Sequence, residues 1–118
     1  MIQRFSFGHP IPTGSVEQVL PLCGGSVPFL TPAAEGWTYR MREDCVVYGL
    51  GEMPRGLNKR GWHYIANNTD ESHHTEDKLS YYGAHNFLLI RNGEDCFGLF
   101  VDFPGKVHYD IGYTRHDT

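Results

Sequence analysis

Glycine and proline divide this chain into short segments, and this punctuation restricts its fold more than any other feature. The 118 residues contain 14 glycines and seven prolines, and the apolar runs between them are too short for long helices. Large apolar and polar residues alternate one by one at 37–42 and 106–111, which is typical of strands with one buried face. We therefore predict one all-β domain over residues 1–118, a β-sandwich of seven or eight short strands.

The strongest local signal is a hairpin in the second half of the chain. Apolar residues fill 87–90 and 96–101, and Asn92-Gly93 between them tolerates the positive φ angles of a tight primed turn. Both flanks are almost continuously apolar, which predicts a hairpin at the centre of a sheet. Further strands are predicted at 3–7, 45–50 and 60–66, a helical or coiled stretch at 14–22, and loop over most of 8–35.

Composition and charge exclude several classes of partner. Hydrophobic residues make up 40% of the chain and aromatic residues 14%, which favours a folded domain over a disordered one. The net charge is −4 and Lys and Arg form no cluster, so we expect neither nucleic acid nor an anionic membrane as partner. No apolar stretch approaches the ~20 residues of a membrane span, and the first ten residues do not read as a signal peptide.

The three cysteines, Cys23, Cys45 and Cys96, are odd in number and form no CxxC pair. This pattern predicts neither a disulfide framework nor a zinc ribbon. We expect a cytoplasmic location, in which the cysteines serve as small buried apolar residues rather than as reactive thiols.

The polar segment 67–80 (NNTDESHHTEDKLS) is too long for a hairpin turn, and loops of this length are uncommon unless they are functional or disordered. Its Asp, Asn and His side chains suit sugar hydroxyls, and aromatic faces suit the C–H faces of sugars. Two interpretations stay open: a sugar site at this loop, or sandwich-core aromatics beside a solvated loop. The aromatic residues concerned are Trp62, Tyr64, Tyr81 and Tyr82.

Other kinds of site have weaker signals. His73 and His74 lie among carboxylates, but neighbours in an extended chain point to opposite sides and no HExxH spacing occurs. We therefore favour a solvated loop and expect no metal or other cofactor. The segment Gly49-Leu50-Gly51 lacks the third glycine and following helix of a dinucleotide site, and no GxSxG motif is present. Fourteen acidic residues allow many carboxylate pairs for glycoside hydrolysis, and the sequence selects none.

Four short segments together resemble the N-terminal β-sandwich of glycoside hydrolase family 31, which contains α-glucosidases and α-xylosidases. They occur in the family's order and spacing between residues 46 and 112. The segments are YGLGE at 48–52, LNKRG at 57–61, NTD at 68–70 and FGLFVD at 97–102.

This resemblance implies a galactose-mutarotase-like sandwich that precedes a catalytic (β/α)8 barrel. It also implies retaining hydrolysis of α-linked glucosides by two aspartates of the barrel. The 118 residues contain no barrel segment, so we assign no catalytic residue to this chain and expect it to be inactive by itself, as a fragment of a larger enzyme. Two extents of this fragment stay open: a complete sandwich, or one truncated at its C-terminus. The implied partners are an α-glucoside substrate and the barrel of the same parent chain. We also expect self-association through faces that the barrel would cover.

One substrate-binding residue carries over from the resemblance. In the family, an aspartate of the long sandwich loop hydrogen-bonds the glucose beside the cleaved bond, and Asp70 occupies that position. Charge-assisted hydrogen bonds are the strong ones, which suits a carboxylate to this role. The alternative for Asp70 is a cap of a helix or turn. Two other functions stay open for the chain: a stand-alone carbohydrate-binding module, or an aldose mutarotase whose acid and base would come from His63, His85 or Glu52.

Overall fold

The computed structural model describes residues 31–34, 36–70 and 72–118. All the helices and strands assigned in these ranges are β-strands, with no helix among them. This confirms the predicted all-β class. None of the described residues belongs to a helix long and apolar enough to cross a membrane. The strand predicted at 3–7 and the stretch at 14–22 lie outside the described residues. The strands are β1 (Thr31–Ala33), β2 (Gly36–Thr38), β3 (Val46–Gly51), β4 (Trp62–Ala66), β5 (Ala84–Asn92), β6 (Asp95–Phe100) and β7 (Val107–Ile111).

The chain divides into two units between Tyr39 and Arg40. In the first unit β1 and β2 form an antiparallel hairpin with Thr31 opposite Thr38. Loop was predicted over most of 8–35, and β1 places a strand at Thr31–Ala33 within that range. The strand predicted at 37–42 is shorter than predicted, because β2 ends at Thr38. In the second unit, the amides of Met41 and Arg42 donate to Asp117 O (2.8 Å) and Asn92 Oδ1 (2.7 Å) instead of to a neighbouring strand.

The second unit contains two antiparallel sheets, one with strand order β3-β5-β6 and one that pairs β4 with β7. Buried side chains alternate along β4, β5 and β7, as expected when one face of each sheet forms the core. The Tyr109 hydroxyl donates to Asn86 Oδ1 at 3.1 Å and so links β7 to β5. The buried apolar strand residues are Val47, Leu50, Tyr64, Ala66, Leu88, Ile90, Tyr109 and Ile111.

The buried Tyr109 makes the stability of the fold sensitive to high pH. Burial raises the pKa of Tyr109 from 10.0 to about 12, so the folded state keeps a proton that the unfolded chain loses. The stabilisation that the protonated Tyr109 gives to the folded state is fully present below pH 10. The free energy of unfolding falls by roughly 2–3 kcal/mol as the pH rises to 12. Urea unfolding at stepped pH should show that loss, and Tyr109→Phe should reduce it. Parallel stability curves for wild type and Tyr109→Phe between pH 10 and 12 would contradict the assignment.

The predicted hairpin is β5 and β6, but its turn lies one residue later than predicted. Asn92 pairs with Asp95, so the two turn residues are Gly93 and Glu94. Gly93 has φ +67°, which suits the first central position of a type II′ turn. Asn92 stays in the strand because its buried amide accepts from Arg42 N at 2.7 Å and donates to Arg40 O at 3.2 Å.

Buried and exposed residues alternate strictly over 87–92 in β5, although its sequence at 87–90 is continuously apolar. Leu88 and Ile90 are buried, whereas Phe87 and Leu89 are 44% and 42% exposed. Only β5 is central, since β6 has no second neighbour among the described strands. The exposed side of this sheet, which we call the outer face, is apolar because the register places further aromatics beside β5. Its members are Tyr48, Phe87, Leu89 and Phe100.

The outer face leads us to expect concentration-dependent self-association of the isolated chain. Exposed apolar patches favour contact with other molecules, and the outer face is such a patch. Light scattering over a hundredfold concentration range should show species larger than the monomer, and Phe100→Ser should shift their onset to higher concentration. Leu57→Ser is the matched control, because Leu57 is an exposed apolar residue of a loop outside the sheet. A wild-type chain that stays monomeric throughout would contradict the expectation.

Two cysteines lie in the described ranges, and both have free thiols. Cys45 is buried, as predicted, and its burial raises its pKa. Cys96 is exposed, which contradicts the prediction of a buried apolar role. The reason is its register: Cys96 lies opposite the exposed Arg91 and so shares the outer side of the sheet. Cys23 lies outside the described residues.

Candidate functional site

The β4–β5 loop (residues 67–83) has a neck that its own hydrogen bonds close. Ile65 N donates to Leu79 O at 2.9 Å, and Thr69 N donates to Tyr81 O at 3.3 Å. The Ser80 hydroxyl donates to Asn67 O between these two bonds. Asp70 is therefore the first residue beyond an anchored neck.

The body of the loop is also held by specific contacts. The Tyr81 hydroxyl donates to Thr75 O at 2.8 Å, and the His74 ring stacks on Tyr81 with 4.7 Å between ring centroids. Glu76 Oε2 accepts the amide of Arg55 at 2.7 Å and ties the loop to the segment that follows β3. Compact loops held by their own side chains are frequently functional.

The Asp70 carboxylate is exposed, and within the described ranges no donor hydrogen-bonds to it and no cation pairs with it. The other described acids of the loop are engaged. Glu76 binds the Arg55 amide, and a hydrogen bond from Thr75 holds the pKa of Asp77 below its usual value. A turn cap at Asp70 would need a backbone amide that donates to its carboxylate, and no described amide does so. The arrangement leaves Asp70 able to accept hydrogen bonds from a ligand.

The histidines of the loop contact other side chains of the same loop. His73 Nδ1 lies 3.1 Å from Ser72 Oγ, and His74 contacts Tyr81 and Tyr82. In residues 31–34, 36–70 and 72–118, no three His, Cys, Asp or Glu side chains come together as a ligand set.

The aromatic residues proposed to line a sugar site differ in their exposure to solvent. Tyr64 is only 1% exposed and belongs to the core, which decides between the two open interpretations in favour of a core role for this residue. Trp62 is covered by the Arg55 guanidinium, 3.6 Å from its ring centroid, and by an edge-on contact with Tyr113. Tyr82 remains exposed beside His74. The alternation of β4 explains the burial, because Trp62, Tyr64 and Ala66 point to the same side.

Of the three residues considered for mutarotase chemistry, Glu52 follows β3 and the two histidines lie in different sheets. His63 lies in β4, stacked on Tyr113 with ring centroids 4.5 Å apart. His85 is the second residue of β5 in the other sheet, where its Nδ1 accepts a hydrogen bond from the Phe87 amide at 3.3 Å.

The YGLGE segment forms a β-bulge that ends β3. Gly49, Leu50 and Gly51 all have positive φ, at 123°, 66° and 77°, and the register with β5 shifts between the two glycines. Leu50 is fully buried. Beyond the bulge, Glu52 N donates to Gly83 O at 3.0 Å, which fixes the last residue of the β4–β5 loop. The motif is therefore structural, and it positions the loop that carries Asp70.

The LNKRG segment is structural as well, a role that its sequence did not reveal. Lys59 is buried, and its ammonium group donates to the carbonyls of Met53, Pro54 and Gly56 at 3.0–3.4 Å. Burial lowers its pKa. Arg60 donates to the carbonyl oxygens of Arg42, Glu43, Cys45 and His116 at 2.7–3.1 Å. Together the two cations hold the segment between β3 and β4.

Comparison with known proteins agrees with these structural motifs. The family model described as "Glycosyl hydrolase 31 N-terminal galactose mutarotase-like domain" matches residues 26–110, well over half of the chain. That range contains all four of the short segments identified in the sequence. No curated protein matches the chain.

Proposed function

The chain belongs to the family of glycosyl hydrolase 31 N-terminal galactose mutarotase-like domains, and we propose that it serves a retaining α-glucosidase. In this proposal the catalytic nucleophile and acid/base belong to a (β/α)8 barrel outside the 118 residues. The domain described above supplies the β4–β5 loop as one wall of the substrate pocket. Substrate pockets of such barrels lie at the C-terminal face, where loops from a second domain can complete them.

The observation that carries this proposal is the free Asp70 carboxylate on an otherwise anchored loop. A carboxylate has two oxygens and accepts hydrogen bonds from two neighbouring sugar hydroxyls. Because the neck of the loop is already closed by Ile65, Thr69 and Ser80, little ordering is needed when a sugar binds. The engaged acids Glu76 and Asp77 do not offer the same chemistry.

The outer face fits the same proposal. Tyr48, Phe87, Leu89 and Phe100 form an apolar surface on the side of the sheet away from the core. Interfaces between domains of one chain bury surface of this kind. We propose that another part of the parent enzyme packs there.

The test is the stereochemistry of the reaction of the parent protein. Proton NMR of the hydrolysis of an aryl α-glucoside, which releases a single glucose, should show α-glucose as the first product, before it equilibrates with the β-anomer, because double displacement retains configuration. The 118-residue chain should show no turnover under the same conditions. First appearance of β-glucose would overturn retention. Turnover by the homogeneous 118-residue chain, lost when one of its own acids is replaced, would overturn the division of roles.

A further inference from the structure

A polar cleft lies beside the β4–β5 loop, separate from the Asp70 carboxylate. Its volume of about 440 Å³ is within the ~300–1,000 Å³ typical of small-molecule sites. Three segments line it: the end of β4 with the start of the β4–β5 loop, the start of β5, and the loop between β6 and β7. The side chains that matter chemically are Asn67, Asn68, His85, Asn86, Phe103 and Lys106.

The aromatic wall of the cleft is held in place by Asn86. The Asn86 amide donates to Phe103 O at 3.1 Å, while its oxygen accepts the Tyr109 hydroxyl, also at 3.1 Å. The Phe103 ring lies against the backbone of Gly105, where a Cβ would come closer to the ring than 3.0 Å. Although these contacts hold it in place, Phe103 is 55% exposed. A large apolar ring therefore lines the cleft.

The polar lining of the cleft offers mainly hydrogen-bond donors. Asn68 Oδ1 accepts the Ala84 amide at 2.9 Å, which leaves its NH2 group as a donor. Lys106 adds an ammonium group that pairs with no acid in the described part of the chain. His85 uses Nδ1 for the Phe87 amide and keeps its second ring nitrogen for a ligand. No carboxylate lines the cleft.

We propose that this cleft is a second saccharide site, which takes a neutral α-linked glucose unit. The hydroxyl oxygens of the sugar accept from Asn68 and Lys106, and its C–H face packs on Phe103. This inference rests on the proposed function, because the ligand is a unit of the same α-glucoside class. Asn67 and Asn68 begin the loop that carries Asp70, so the two sites belong to one loop.

The experiment is an NMR titration of the 15N-labelled 118-residue chain with maltotriose. The amides of residues 67–68, 85–86, 103 and 105–106 should shift together, in the millimolar range expected for a shallow site. Phe103→Ala should weaken binding about tenfold, and Lys106→Gln should weaken it severalfold. Phe100→Ala is the matched control, an exposed phenylalanine of the outer face whose loss should leave the affinity unchanged.

Asp70→Asn separates this inference from the proposed function. The cleft affinity for maltotriose should survive Asp70→Asn. If Asp70→Asn abolishes binding and Phe103→Ala does not, the cleft proposal is overturned while the role of Asp70 stands. Absence of shifts in the cleft at saturating maltotriose, or shifts there with inorganic phosphate but not with maltotriose, also overturns it. If maltotriose binds in the cleft but the parent protein does not hydrolyse α-glucosides, only the proposed function is refuted.

Discussion

Replacement of Gly51 by alanine should destabilise the domain by about 2–5 kcal/mol. Gly51 has φ +77°, which is unfavourable for an L-residue with a Cβ. An added Cβ would also overlap Gly83 O, far inside the 3.0 Å limit of real contacts. That oxygen cannot move away freely because it accepts the Glu52 amide. Gly49→Ala should act in the same direction, since its Cβ would overlap Phe87 O.

Urea unfolding measures this effect through the midpoint concentration at constant slope. Gly56→Ala is the matched control, because Gly56 lies in the segment just after the bulge, with no heavy atom within 4 Å of an added Cβ and no positive φ. We expect its stability to stay within about 0.5 kcal/mol of wild type. Equal loss in Gly51→Ala and Gly56→Ala would show that the bulge does not have the assigned geometry.

The strands were most predictable where one face of a sheet is buried and the other is polar, because the sequence then alternates with a period of two. The alternation at 106–111 predicted β7, with Val107, Tyr109 and Ile111 on one side. The alternation of β5 was hidden because its outward positions, Phe87 and Leu89, are themselves apolar. An exposed apolar residue has the same sequence signal as a buried one, so the sequence does not show which of these residues face outward.

Positions set by long-range hydrogen bonds were not predictable from local patterns. Asn92-Gly93 has the composition of a primed turn, yet Asn92 is held in β5 by Arg40 and Arg42, which are about 50 residues away in sequence. Lys59 is a charged residue of the LNKRG segment, yet it is buried, because three carbonyls satisfy its ammonium group inside the fold. In both cases the partner decides the position, and nothing in the neighbouring sequence identifies that partner.

The candidate site was predicted in part. The loop and Asp70 came from the NTD segment and from the unusual length of the polar stretch. The closed neck was not foreseeable, because it depends on pairing of Ile65 with Leu79 and of Thr69 with Tyr81. The cleft was missed because its residues come from three separate segments and include Phe103 and Lys106, which no sequence motif joins to the loop.

In the parent enzyme, Asp70→Asn should lower kcat/KM for maltose by roughly 10²-fold. The substitution keeps the shape of the side chain but removes the charge that strengthens hydrogen bonds from sugar hydroxyls. Stability should hardly change, because the described structure shows Asp70 exposed and without a donor of its own. Asp77→Asn is the matched control, with the same chemistry in the same loop but with a carboxylate already engaged by Thr75.

The measurement that tests the central claim most directly is the ratio of kcat/KM for Asp70→Asn and Asp77→Asn in the parent enzyme, with Tm recorded for both. The account predicts a loss of roughly 10²-fold for Asp70→Asn, a change within about twofold for Asp77→Asn, and Tm values close to wild type. Equal losses in the two variants would contradict it and point to the general charge of the loop. A fall in Tm for Asp70→Asn large enough to explain its lost activity would contradict it too, and would assign Asp70 to the turn.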